Sequence, residues 1–402
     1  MLLMKYDYVE KFIEIFKYYL AFVNFIDVVV PNQNRSLWTR EEFRQNEREL
    51  YSLYNDLLDL IRQHNSREFR RFTRINVSTY QYLIRILRKK LCKYSLRKPI
   101  PPECRLMLTL IYLAHDSART LLSLAFRMGK STVREIILDT CQAICEELGP
   151  TYLKSSNSSA DDYFVLAEEF EKEIGLPNCI GCIDVIEFQH DKKCYSPIIA
   201  MAACNAKYQI THADVALPKE IKEKDNFINR LIQKKLQMPN DMVMPDTGLM
   251  LSPYFITPTN FPLVDNVMRP YPGKALTPEK QNCNEHLKVG SRLIENSLGV
   301  LVWKWKVLQN KFTCRMDIGV EHIVKATMIL HNFAMQHDAA YFNKKFVDHY
   351  DETTMEFVPG LWRQQDFDLT HSKIFYDSNA REEAFANRDL LKDYLYNKHV
   401  NQ

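Results

Sequence analysis

Three acids stand where their settings point to chemistry. Asp184 lies inside Cys179-Ile180-Gly181-Cys182-Ile183-Asp184-Val185-Ile186, an apolar run that follows the turn signal Gly175-Leu176-Pro177. Such a run reads as a buried strand. A carboxylate inside it costs several kcal/mol unless a partner or a metal neutralises it. Asp246 closes a second short apolar strand, Met242-Val243-Met244-Pro245, at the turn Thr247-Gly248. Glu295 falls in a helical pattern, at the edge of a stripe made by Leu293, Ile294 and Leu298. Two acids on strands and one on a helix, 62 and then 49 residues apart, could hold two divalent ions. Hard oxygen ligands suit magnesium or manganese, and two such ions stabilise the attacking and leaving oxygens of a phosphodiester displacement. Spacing alone favours the plainer reading, three unrelated acids out of fifty.

The chain that must position these residues has 402 residues, 46% of them hydrophobic, enough for a large core in two or three domains. Ten glycines, with no Gly-x-Gly-x-x-Gly or P-loop run, argue against a glycine-rich nucleotide fold. The net charge of +3 is unevenly spread: residues 61–100 hold twelve Lys/Arg against one acid, Glu68. That excess fits an anionic partner such as nucleic acid or, equally, solvated helix faces. Ten scattered cysteines fit a reducing compartment. Cys179-x-x-Cys182, with Cys194 and Cys204, can be drawn as a zinc site, but strand alternation puts the first two on opposite faces. Met1 to Val30 is aromatic and aliphatic yet interrupted by charges. No run there reaches membrane-spanning length, and an amphipathic helix is expected.

From Trp38 to Tyr94 the pattern is helical, with Ser78 or Thr79 as a cap for a helix over 80–93. Helices follow over 103–114, 117–127 and 131–148. Gly129 between the last two, with Ser131 as N-cap, makes a helix-turn-helix candidate whose Arg127, Lys130 and Arg134 can meet phosphates. Gly149-Pro150 closes this region, and 154–160 is a Ser/Asn linker. After a helix over 161–174 come the Asp184 strand, a hairpin of 196–204 with 209–215, and a helix over 225–236. The Asp246 strand, an irregular loop over 253–272, and helices over 283–305 and 321–332 complete the body. This order predicts an α/β fold, a mixed sheet flanked by helices. The tail beyond Asp351 reads as a surface appendage.

Several of these stretches resemble the PIF/Harbinger transposases and the host nucleases derived from them: Pro177 to Asp184, Pro245-Asp246-Thr247-Gly248, Arg292-x-x-Glu295-x-x-x-Gly299, and Ile329-Leu330-His331-Asn332. Phe69-Arg70-Arg71-Phe72, Pro102 to Leu106 and Leu124 to Val133 fit that family's helical N-terminal region, so the resemblance spans roughly 67–335. It implies an RNase H-like nuclease domain over 151–335. Before it stand a helical extension (1–66) and a helix-turn-helix-like DNA-binding region (67–150), and a tail (336–402) follows. It also implies Asp184, Asp246 and Glu295 as the metal-holding catalytic triad, magnesium or manganese as cofactor, and DNA as substrate. A Myb/SANT-like partner protein and a nuclear location, with the cytoplasm a second one, come with it. Arg292, one turn before Glu295, is expected either to touch DNA or to form an ion pair. The chain departs from the family pattern at Val185-Ile186, Asn205, Pro218-Lys219-Glu220 and Leu249. These departures keep open a second reading, an inactive domesticated transposase serving as a DNA or chromatin adaptor.

Overall fold

The computed structural model describes residues 43–94, 98–153, 159–189, 196–221, 223, 225–258, 261–312, 317–351, 353, 356–372 and 382–400. The expected N-terminal helix and most of the Ser/Asn linker lie outside these residues.

The Asp184 segment forms β1, Cys179–Phe188, and its apolar content buries it on both faces. It pairs antiparallel with β2, Ile198–Cys204, which pairs with β3, Ile210–Ala216. This is the expected hairpin. Asn205 builds its turn, accepting the Lys207 and Gln209 amides at 3.1 and 2.9 Å on one side-chain oxygen. Two further short strands, β6 (Tyr254–Ile256) and β7 (Val267–Met268), extend the other edge parallel to β1, giving the order β3-β2-β1-β6-β7. The irregular loop expected over 253–272 thus contributes two strands of the central sheet. They are three and two residues long, too short for a periodic signal between prolines.

The strand expected to end at Asp246 leaves the central sheet. Met242–Val243 (β4) and Met250–Leu251 (β5) form a separate two-stranded hairpin. Its base is tied to the start of β1, where the Asn178 amide donates to the Met242 and Leu251 carbonyls, each at 2.9 Å.

Helices cover both faces. On one lie α8 (Ala160–Ile174) and the short α10 (Phe227–Ile232), packed on Ile180, Ile183, Val185, Ile199 and Met201. On the other, Cys182, Ile186, Ala200, Ala202 and Tyr254 meet α11 (Pro278–Lys304) and α12 (Asp317–His337). A register shift between Cys179 and Gly181 reverses the side-chain alternation there. Cys179 and Cys182 therefore share a face, contrary to the simple period-two expectation. Gly290 lets α11 lie against this face: a Cβ there would stand 2.3 Å from the Ile256 side chain.

The N-terminal region is helical, as its pattern suggests: α1 (Gln45–Tyr51), α2 (Leu53–Arg62), α3 (Ser66–Thr73), α4 (Val77–Leu91), α5 (Pro102–His115), α6 (Arg119–Ala125) and α7 (Lys130–Tyr152). Asn76 rather than Ser78 or Thr79 caps α4, and α7 runs through Pro150 to Tyr152. The one-turn α9 (Pro218–Ile221) follows β3. The tail is no appendage. A hairpin of His349–Tyr350 (β8) with Phe357–Val358 (β9) and a closing helix α13 (Glu382–Val400) pack back on the body, with Leu391 and Leu395 in the main core.

Candidate active site

Asp184 is 6% exposed. Strand alternation puts it on the face of Cys182 and Ile186, the face α11 covers, and α11 carries Glu295. One carboxylate oxygen of Asp184 accepts the Val185 amide at 2.7 Å. The other lies 2.9 Å from Nδ1 of His371. That contact, outweighing partial burial, raises the His371 pKa above its ordinary value, and the charge of Glu295 adds to the effect. Two of the expected acids thus act on one imidazole.

Glu295 is held by Arg363, with Nη1 at 3.1 Å and Nη2 at 2.9 Å from its two oxygens. The same guanidinium binds Asp348 at 2.7 Å. The Asp348 side chain is 2% exposed. Burial pushes its pKa up, but the Arg363 hydrogen bonds and the Gly360 amide outweigh this and hold the carboxyl below its usual range. Arg292 pairs with neither Glu295 nor another acid in its described contacts. It donates to the Tyr350 hydroxyl at 3.3 Å and stacks over Phe357.

Asp246 is carried by the separate β4–β5 hairpin. It sits in the exposed turn of the β4–β5 hairpin with a left-handed backbone (φ 60°). The hairpin base is tied to Asn178, six residues before Asp184. Among the described residues no three of His, Cys, Asp and Glu stand close enough to share one metal ion. That holds for the buried thiols as well as for the acids.

The residues expected to meet DNA are positioned unevenly. The order helix, four-residue turn, helix is present in α6 and α7. Lys130 is exposed at the start of α7; Arg134 is half-buried; Arg127 lies in the turn with φ 50° and a buried, unpartnered Nε. Further along, however, the outward row of α7 is Glu135, Asp139 and Glu146, and the basic helix α4 faces it. Lys90 pairs with Glu146 and Lys93 with Asp139, both at 2.9 Å. Arg70, Arg71, Arg88 and Lys98 are likewise paired with Asp338, Glu68, Glu103 and Glu49. Much of the positive run over 61–100 is therefore matched inside the protein.

The His331-Asn332 pair proves to be structural. Asn332 brackets Ile210 at the start of β3, accepting its amide at 2.9 Å and donating to its carbonyl and to that of Tyr152. His331 is buried with Nδ1 3.1 Å from the Tyr341 hydroxyl.

Comparison with known proteins gives one family match and one distant relative. Residues 184–332 match the model of the DDE superfamily endonuclease family, a span that begins at Asp184, contains Asp246 and Glu295, and ends at Asn332. Over these residues the chain is similar to that family. A protein described as ALP1-like from Arabidopsis thaliana is 20% identical over 251 residues, covering 58% of this chain and 61% of the relative. Both findings support the resemblance to the Harbinger-type transposases, and the mixed sheet flanked by helices is consistent with an RNase H-like fold. No solved structure is significantly similar to the chain.

Arg363, Asp348 and His371 had no signal in the sequence. They belong to an aperiodic tail, and only the contact of that tail with β1 and α11 makes them part of the site.

Proposed function

We propose that this chain is a transposase-derived DNA endonuclease. In this reading Asp184, Asp246 and Glu295 are the acids that collect divalent magnesium or manganese at a phosphodiester. The observation that carries it is that Asp184 and Glu295, from a strand and a distant helix, are both held by the same stretch of tail, through His371 and Arg363, next to a match to an endonuclease family. Bound metal would supply electrostatic stabilisation of the displacement. As arranged, the residues do not fit that ion: both carboxylates hold protein cations, and Asp246 stands on its hairpin. Arg127, Lys130 and Arg134 at the head of α7, and Arg292 beside Glu295, are the phosphate contacts. A Myb/SANT-like partner and a nuclear location belong to the same reading.

The test is nicking of supercoiled plasmid by the full chain with manganese, set against Asp184→Asn. Cleavage that requires both the metal and Asp184 supports the reading; equal cleavage by the variant sinks it. The ion pairs on Asp184 and Glu295 also favour a second reading, a non-catalytic DNA or chromatin adaptor. That reading expects no cleavage by wild type and unchanged DNA binding in Asp184→Asn.

A further inference from the structure

The stretch Gly360–Ser372 makes three separate attachments to the face that carries the acids. At its start, Trp362 is buried, and its indole Nε1 donates to Asn296 of α11 at 2.8 Å. The ring fills a notch that exists because residue 299 is glycine. A Cβ at Gly299 would stand 2.3 Å from the indole. Arg363 then reaches Glu295, one turn of α11 away. At its end, Thr370 and Ser372 run alongside β1. The Glu187 amide donates to the Thr370 carbonyl and the Ser372 amide to the Val185 carbonyl, both at 2.8 Å. Ile186 and His371 pair antiparallel between them. One edge of this half of β1 already belongs to β2. The tail therefore fills the other edge, the one β6 occupies nearer the start of the strand.

We propose that Gly360–Ser372 is an autoinhibitory strap that closes the acid site and must leave before the site can take a divalent cation. The inference rests on the endonuclease reading of Asp184 and Glu295. Its logic is charge and space. The two carboxylates each hold a cationic or proton-bearing group of the strap, where a metal would need their oxygens. The strap also adds a strand to the sheet edge beside Asp184, so backbone and side chain exclude a ligand together. Trp362 anchors the strap through Asn296 and the Gly299 notch, and its ring lies under the Arg363 guanidinium, 4.2 Å from the centroid, so removing it loosens the strap while both acids and both strap groups stay in the chain. An apparent affinity is the intrinsic affinity reduced by the fraction of molecules in the competent state. Releasing the strap should therefore tighten metal binding without any change in the ligands.

The experiment is calorimetric titration of manganese into the full chain, wild type against Trp362→Ala, with hydrogen exchange read at the Glu187 and Ser372 amides. Faster exchange at those amides in Trp362→Ala, with manganese bound about tenfold tighter or more, is the expected result. Faster exchange with unchanged manganese affinity overturns the strap while leaving the metal site standing. Absence of manganese binding by either protein removes the metal-site reading and the strap inference with it. If Trp362→Ala does not fold, Arg363→Gln combined with His371→Asn keeps the anchor and removes both competing groups. Tighter manganese binding by that variant supports the strap, and unchanged binding overturns it.

Discussion

Arg363 is the residue on which the acid side of the site turns. It is 30% exposed, yet it bridges Glu295 to an Asp348 side chain that is 2% exposed. Removing one partner of such a pair leaves the other as an uncompensated buried charge, which is costlier than losing the attraction alone. Arg363→Ala is expected to lower stability by about 2 kcal/mol, read as a reduced midpoint in urea with an unchanged slope. Arg363→Lys should recover only part of this, because a single ammonium cannot match the two-sided fork that holds both carboxylates. An alanine variant as stable as wild type would mean that Asp348 is solvated and that the bridge holds little together. Asp184 is legible at this scale for a related reason. A lone acid in an eight-residue apolar run needs a partner, and the sequence states the need plainly. It does not state that the partner is His371, because nothing local in Phe367 to Ser372 distinguishes that histidine from a surface one.

At the scale of elements, strong periodicity was readable and short elements were not. The stripes of α4, α5, α7, α11 and α12 run for many turns, and each helix forms close to its expected place. Their charges mislead, because a one-dimensional count of twelve cations over 61–100 cannot show that Glu146 and Asp139 lie opposite Lys90 and Lys93. Strands β6 and β7 are invisible for a different reason: two or three residues give no period. The shift that brings Cys179 and Cys182 to one face is a register irregularity, and composition does not encode it. Asn332 is an element-scale device that the motif flagged with no hint of its task. Its amide satisfies both backbone groups of Ile210 where β3 begins against α12, and it is 4% exposed. Asn332→Ala leaves those buried groups without partners, at about 1–3 kcal/mol for each one unmade. The expected outcome is a clear fall in melting temperature with early exchange of the Ile210 amide. Protection of that amide equal to wild type would assign the start of β3 to some other restraint.

Over the whole molecule, the pH dependence of stability follows from groups buried in its different parts. His115, on α5, has Nε2 3.0 and 3.1 Å from the carbonyls of Arg71 and Phe72. Burial, with Arg74 nearby, pushes its pKa down to about 4. His331, on α12, is pushed to about 4 by burial as well. Tyr341 supports a neutral ring there: its hydroxyl accepts from the Trp305 indole at 3.1 Å, leaving its own proton for Nδ1 of His331. An unfolded chain takes up protons on both imidazoles near pH 6.5, whereas the folded one resists until about pH 4. Their stabilising effect is thus complete above pH 6.5 and is lost as pH falls toward 4, by roughly 3 kcal/mol each over the window. Asp116 works in the opposite direction. Burial raises its carboxyl to about 6, so the folded state binds its proton first and gains stability as the solution is acidified. His371, with its raised pKa, adds to the gain on acidification, but the two buried imidazoles outweigh both gains, and the melting temperature of the full chain should fall between pH 7 and pH 5. The two kinds of group can be separated by slope. His115→Asn, which keeps a donor for the two carbonyls, should flatten the fall, and Asp116→Asn should steepen it, whatever either does to stability at pH 7. A slope that both variants leave unchanged would show that these side chains meet water in the folded state, and the buried junction of α5 with α3 would have to be redrawn.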